Sequence, residues 1–271
     1  MNPLRSCLYG LIVMVAFLAV SCTTVPVTGR KQLNLIPTES MLSMSLQQYD
    51  EFLKTHKVSA DREKTAMIKR VGIRIQNAVE QYFTDNNMAD RLKEYRWDFN
   101  LVESEEINAW CMPGGKVVIY TGILPFTQDE TGLAVVMGHE IAHAVAAHGN
   151  ERMSQMLAVQ LGGVALAVAL AEQPRTTQNL WLAAFGVGTA VGIILPYSRL
   201  HESEADRLGL IFMAMAGYDP RHAVAFWERM AREKEGKAPP KFLSTHPSDE
   251  KRISDIKRLL PEVMPYYENS K

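Results

Sequence analysis

The segment from Leu133 to Ala147 constrains this chain most: it is apolar almost throughout, yet it carries His139, Glu140 and His143. Its composition is strongly helical, and a helix that is apolar on every side belongs inside a core. On a helix, residues four apart lie one turn above each other and about 40° apart around the axis. His139 and His143 can therefore reach one ion from the same face. Glu140 sits beside them, placed to touch a water at the ion rather than the ion itself. This pattern, H-E-x-x-H, reads as the core of a zinc site with a carboxylate general base.

Zinc in a catalytic site needs a third protein ligand and an open position. His148 is poorly placed for the role. It follows His143 by five residues, Ala146 occupies the position where a downstream-histidine motif has glycine, and on a continued helix it points to the opposite face. It reads as a surface or capping histidine near a helix C-terminus. A carboxylate on a second helix fits better. Glu202 and Asp206 are four apart and share a face. Glu202 can bind the metal while Asp206 accepts a hydrogen bond from the far nitrogen of a ligand histidine. Glu204 is rotated by about 200° from Glu202 and is the poorer ligand, and His201 is a weaker competitor. The spacing alone leaves an alternative open, in which Glu202, Glu204 and Asp206 are a solvated helix N-terminus favoured by the macrodipole.

The remaining features bound the class. A chain of 271 residues suits one large domain or two small ones, and its 47% hydrophobic content supports a sizeable core. The formal net charge of -1 argues against a nucleic-acid partner, which calls for a basic surplus. The start of the chain reads as an export signal over residues 1–21, with Arg5 before an apolar stretch from Leu8 to Val20. It ends in Leu18-Ala19-Val20-Ser21-Cys22, which resembles a bacterial lipobox with Cys22 as the lipidated residue; an ordinary cleaved signal or an N-terminal anchor is the alternative. Residues 22–36 read as a polar tether. Thr23, in place of an aspartate after the cysteine, points to the outer membrane and hence to the periplasmic face of a bacterial envelope. With Cys7 in the signal and Cys22 lipidated, Cys111 is alone and no internal disulfide is expected. It reads as a small buried apolar residue.

Along the chain, helices are expected at 37–56 and 61–84, followed by strands at 97–103, 107–112 and 116–120 with a Pro113-Gly114-Gly115 turn between the last two. A long helix spans about 129–148, with Gly149-Asn150 as its stop. Two Ala/Gly-rich apolar runs then cover 156–195, divided by a polar stretch from Glu172 to Asn179. Each run is about sixteen residues, short of the ~20 of a bilayer span. They read as a buried helical hairpin, with a membrane-dipping hairpin as the alternative. Further helices are expected at 201–216, 220–234 and 248–260, with a charged loop from Glu233 to Pro240.

His139-Glu140-x-x-His143 followed by Glu202-x-x-Ala205-Asp206 resembles the gluzincin family of the HtpX heat-shock protease and the type-one CAAX prenyl proteases. Asn108-Ala109, Pro113-Gly114-Gly115-Lys116 and Tyr120-Thr121-Gly122 resemble its substrate-edge strand and hairpin. Ser198-Arg199 and Thr245-His246-Pro247 with Arg252 resemble its third-ligand helix and C-terminal motif. Pro26-Val27-Thr28-Gly29-Arg30 and Tyr218-Asp219-Pro220 resemble its periplasmic lipoprotein branch. The resemblance implies zinc held by His139, His143 and Glu202, with Asp206 behind a ligand histidine. It implies that His246 lies near the metal, donating to the oxyanion or closing a resting site, with Arg252 in support. Without the resemblance, His246 reads as a cap before the next helix and Arg252 as a surface ion pair. The expected fold is α+β, mainly helical, a zincin-like domain over 37–271 with a small, mostly antiparallel sheet whose edge takes a peptide by backbone pairing. The expected function is a zinc-dependent metalloendopeptidase acting on misfolded or unassembled envelope proteins, with one Zn2+ per chain and a membrane attachment through lipid on Cys22. A chaperone-like assembly lipoprotein with a self-inhibited site is the alternative.

Overall fold

The computed structural model describes residues 22–190, 195–233, 240–247 and 250–271. The proposed signal, residues 1–21, lies outside them, as do the side chain of Cys22, the loop residues 234–239 and the end of the second apolar run. The chain divides into two compact units, one of residues 1–40 and 147–199 and one of residues 41–146 and 200–271.

The first unit contains strands β1 (Cys22–Thr24) and β2 (Lys31–Leu33), which pair antiparallel. Residues 22–33 of the expected tether thus form a small hairpin. Arg30 makes a two-pronged ion pair with Glu151, at 2.8 and 2.7 Å, and the Glu151 side chain is only 1% exposed. Asn150 Nδ2 donates to the Ile36 carbonyl, and Ser154 Oγ accepts from the Leu35 amide. A bidentate charge-assisted pair of this kind fixes geometry as well as charge. Among the described residues, 147–190 of this unit form a helical hairpin.

The second unit is built around a helix that Asp129 caps by accepting from the Gly132 amide. Before it come α1 (Thr38–Thr55, entering from the first unit) and α2 (Arg62–Asp85), capped by Asp61. Strands β3 (Asp98–Val102), β4 (Ala109–Met112) and β5 (Lys116–Tyr120) form a sheet in the order β3-β5-β4. β4 runs antiparallel to β5 with Ala109 opposite Ile119, and β3 runs parallel to β5 with Asp98 opposite Lys116. Two of the three strand pairings in the described residues are therefore antiparallel, and the mainly helical α+β class stands. The central helix α3 (Glu130–Val145) packs on α2 and β4, and 13 of its 16 residues are buried. That explains why it shows no polar face.

The elements fall where the periodicity puts them, with three physical differences. α3 stops at Val145, before the Gly149-Asn150 signal, because Ala147 takes a left-handed φ of 57° and breaks the chain direction. α4 (His148–Ala169) and α5 (Arg175–Thr189) follow in the first unit. α6 (Leu195–Met215) begins earlier than its polar residues suggest, so Glu202 and Asp206 are interior to the helix and not at its N-terminus. After α7 (His222–Glu233), the last helix, α8 (Glu250–Asn269), runs on through Pro261 and Pro265. A proline stop is the normal expectation. Here burial of Val263 between the two prolines, completely shielded from solvent, holds the turn in place.

α3 meets α6 backbone to backbone. A Cβ on Gly138 would stand 2.8 Å from the Gly209 carbonyl, and a Cβ on Gly209 would stand 2.8 Å from the His139 amide. No larger residue fits without moving a helix, so this crossing sets the distance between the H-E-x-x-H helix and the Glu202 helix. Gly209→Ala is expected to destabilise the chain by about 1–3 kcal/mol in urea unfolding. Gly149→Ala, at a helical position where a Cβ meets nothing within 4 Å, should leave the midpoint unchanged or raise it slightly.

Candidate metal centre

All of the site lies in the second unit. α3 supplies His139, Glu140 and His143, and α6 supplies Glu202 and Asp206. His246 stands on the turn that ends the short helix Lys241–Thr245, and Arg252 is in the first turn of α8. One ligand atom from each of His139, His143, Glu202 and His246 lies within 4.8 Å of the others.

The donor spacing is that of a small cation's coordination shell. His139 Nε2 is 3.1 Å from both His143 Nε2 and His246 Nδ1. The Glu202 carboxylate stands 3.4 Å from His139 Nε2, 3.2 Å from His143 Nε2 and 3.0 Å from His246 Nδ1. Donors around a tetrahedral ion with ~2.0–2.1 Å bonds stand about 3.3 Å apart. The tautomer agrees as well. His139 Nδ1 pairs with Asp206 Oδ1 at 3.0 Å, so that an imidazole made neutral by a metal would keep its proton on Nδ1 and turn the Nε2 lone pair to the ion. The residues present fit a divalent ion that prefers nitrogen and carboxylate ligands.

Electrostatics follow from burial and pairing. Burial pushes the Glu202 carboxyl up, but the bonds to His139, His143 and His246 outweigh it and hold it far below the usual range. Burial likewise raises Asp206, and the Arg252 guanidinium reverses the shift. Arg252 makes that pair through Nε at 2.8 Å and Nη2 at 2.6 Å, and its Nη1 lies 3.2 Å from Glu202. Burial and Arg252 lower His139, while Asp206 and Glu202 outweigh them and raise it to about 9. Glu140 is the exception among these carboxylates: burial leaves it above its ordinary 4.5. Its Oε1 accepts no hydrogen bond and lies 3.4 Å from His246 Nε2. An ionisable, under-bonded carboxylate beside a metal-type donor set is equipped to exchange protons with a water.

The solvated-terminus reading of α6 fails, since Glu202, Glu204 and Asp206 are 8, 3 and 7% exposed. Arg252 is buried as well, not a surface pair. Glu204 and His201 are buried outside the cluster, and His148 is buried in the first unit rather than exposed. Asn108 and Ala109 lead β4, which has β5 as its one strand partner among the described residues. Glu140 is close enough to β4 for its charge to add to the burial that raises the Cys111 thiol, which fits an inert cysteine. Sequence reasoning missed Trp227. The Arg252 guanidinium lies 3.5 Å from its ring centroid, Phe242 stacks on it at 5.9 Å, and Phe242 in turn lies 4.8 Å from His246. No motif marks this residue; only the amphipathic face of α7 signals that it is buried.

With the geometry in place, comparison with known proteins decides the family. The sequence model of Peptidase family M48 matches residues 72–260. The chain belongs to that family. The mitochondrial metalloendopeptidase OMA1 of Schizosaccharomyces pombe is 34% identical over 91% of this chain and 68% of its own length. The bovine mitochondrial metalloendopeptidase OMA1 is 33% identical over 94% of this chain and 49% of its own. The beta-barrel assembly-enhancing protease of Escherichia coli is 31% identical over 62% of this chain and 35% of its own. The chain thus spans from about a third to about two thirds of these relatives. The family expectation is borne out at the level of Peptidase family M48, and so is the metallopeptidase class; the comparisons do not specify the lipoprotein branch. The expectation of a lipid-anchored protein on the periplasmic face of a bacterial outer membrane is overturned, because the relatives that cover most of the chain are mitochondrial. A short apolar stretch ending in a cysteine is too small a signal to decide a compartment.

Arg252→Leu is expected to cost about 3–5 kcal/mol in denaturant unfolding at neutral pH, because Asp206 is left buried without its cation. Asp206 has a folded pKa below its ordinary 3.8. Its contribution is therefore complete above that value and is lost as pH falls through the folded one. The gap between the two proteins should close as the medium is acidified past this range.

Proposed function

We propose that this chain is a zinc-dependent endopeptidase whose metal is held by His139, His143 and Glu202, and that its substrates are unfolded or unassembled proteins. The carrying observation is the convergence of these donors at 3.1–3.4 Å beside the buried, proton-accepting Glu140. Zinc bound there would supply Lewis acidity, drawing the pKa of water from about 16 toward about 7 and polarising the scissile carbonyl.

The chain's own residues do the rest. Glu140 takes the proton of the attacking water and delivers it to the leaving amine. Asp206, braced by Arg252, keeps His139 in its ligand tautomer. β4, beginning at Ala109 after Asn108, offers a strand edge along which an extended segment pairs through its backbone. Backbone pairing does not read side chains, which suits unfolded clients of many sequences.

His246 takes a fourth donor position, and a catalytic site needs one position open. We read this as a resting arrangement in which His246 excludes water and substrate; when it swings out, its imidazole becomes free to donate to the oxyanion. This observation lends the chaperone-like reading its one support, a site closed at rest, while the intact donor set and the family favour the protease.

Casein cleavage tests the assignment. Glu140→Gln should abolish cleavage without shifting the unfolding midpoint, and retained cleavage would remove Glu140 from the reaction. His246→Ala should raise the rate of the resting protein.

A further inference from the structure

The hairpin of α4 and α5 exposes apolar side chains that a protein in water would bury. Met156, Leu161, Val164 and Val168 on α4 are 58–70% exposed. Leu180, Trp181 and Val187 on α5 are 56–69% exposed. The two helices pack on each other, with Phe185 lying over Gly162 and Gly163, where a Cβ would come within 3.0 and 3.6 Å of its ring. A seam of small residues under a large one is how helices pack where no hydrophobic effect presses them together.

These facts overturn the buried-hairpin expectation. α4 is long and apolar enough to cross a membrane, and only 11% of its most apolar stretch is buried. It is neither a core helix nor near the N-terminus. We propose that this hairpin inserts into a lipid bilayer.

Charge and length single out that occupant. No charged residue occurs between Arg152 and Glu172, and charges return at the tip with Glu172 and Arg175. An uncharged stretch bracketed by charges matches a hydrocarbon layer between two headgroup zones. The uncharged part of α4, residues 153–169, reaches about 26 Å at 1.5 Å each, enough to cross most of the about 30 Å of hydrocarbon. Trp181 follows the polar tip by less than two turns, where an interfacial aromatic ring is favoured. In sequence the hairpin lies between His143 and Glu202, so the two halves of the metal centre flank the membrane-seeking segment. The inference does not depend on the protease reading.

The test places an environment-sensitive fluorophore at Val168→Cys in the full chain, with Cys7, Cys22 and Cys111 changed to Ser so that no lipid can be attached. A second label at Lys69→Cys, an exposed position on α2, serves as reference. Added vesicles of phosphatidylcholine and phosphatidylglycerol should shift the emission at 168 to the blue and make it quenchable by lipids with nitroxides on their acyl chains. The label at 69 should stay aqueous. Leu161→Asp with Val164→Asp should return the label at 168 to aqueous emission while casein cleavage persists. An aqueous label at 168 in vesicle-bound protein overturns the proposal. So does a shift that survives the two aspartates, or one that grows with protein concentration without vesicles and marks a second copy as the occupant.

Discussion

A buried carboxylate met by three imidazole nitrogens is the interaction on which the rest of the second unit depends. Glu202 cannot remain ionised in an apolar interior without compensation, and it obtains it from three separate parts of the chain: α3, the His246 turn and Arg252 on α8. Each of these is held by something else. Asp206 fixes His139, Arg252 balances Asp206, and Trp227 lies flat against Arg252. The arrangement resembles a set of nested supports, each costly to bury alone and satisfied together. Such networks are useful where a reaction needs groups in fixed positions, since nothing must reorganise when charge develops.

The backbone makes the convergence possible. Residues four apart on one helix align two histidines for any helical sequence of this pattern. Bringing a carboxylate from a second helix to the same point requires the helices to touch, and Gly138 and Gly209 allow that. The H-E-x-x-H motif was legible because its spacing is itself the geometry. The proposed third donor was legible as one of several candidates, because Glu202 and Asp206 share a face but spacing alone does not say whether that face is wet. The family resemblance raised it above the others, and burial of the whole face explains why it belongs inside.

The parts that could not be read depend on contacts distant in sequence. The Trp227–Phe242–His246 stack has no local pattern, and the glycine crossing looks in sequence like two unremarkable small residues inside helices. The stop of α3 at Ala147 runs against helix propensity, and α8 continues past two prolines, because tertiary contacts override local preference. The hairpin is the opposite case. Its apolar runs were plain, but a core helix and a membrane helix share a composition, and only the exposure of its side chains separates them. The localisation reading failed for a related reason: it rested on a handful of residues at the chain's start and on none of the fold.

The metal site proposed at His139, His143 and Glu202 underlies everything else in this reading of the molecule. It is tested by the metal content of the purified chain, measured by inductively coupled plasma mass spectrometry beside Glu202→Ala. One zinc per chain, lost in the variant while the helical circular dichroism is kept, is the result predicted. A folded protein that carries no metal, or a variant that retains its full complement, would contradict it.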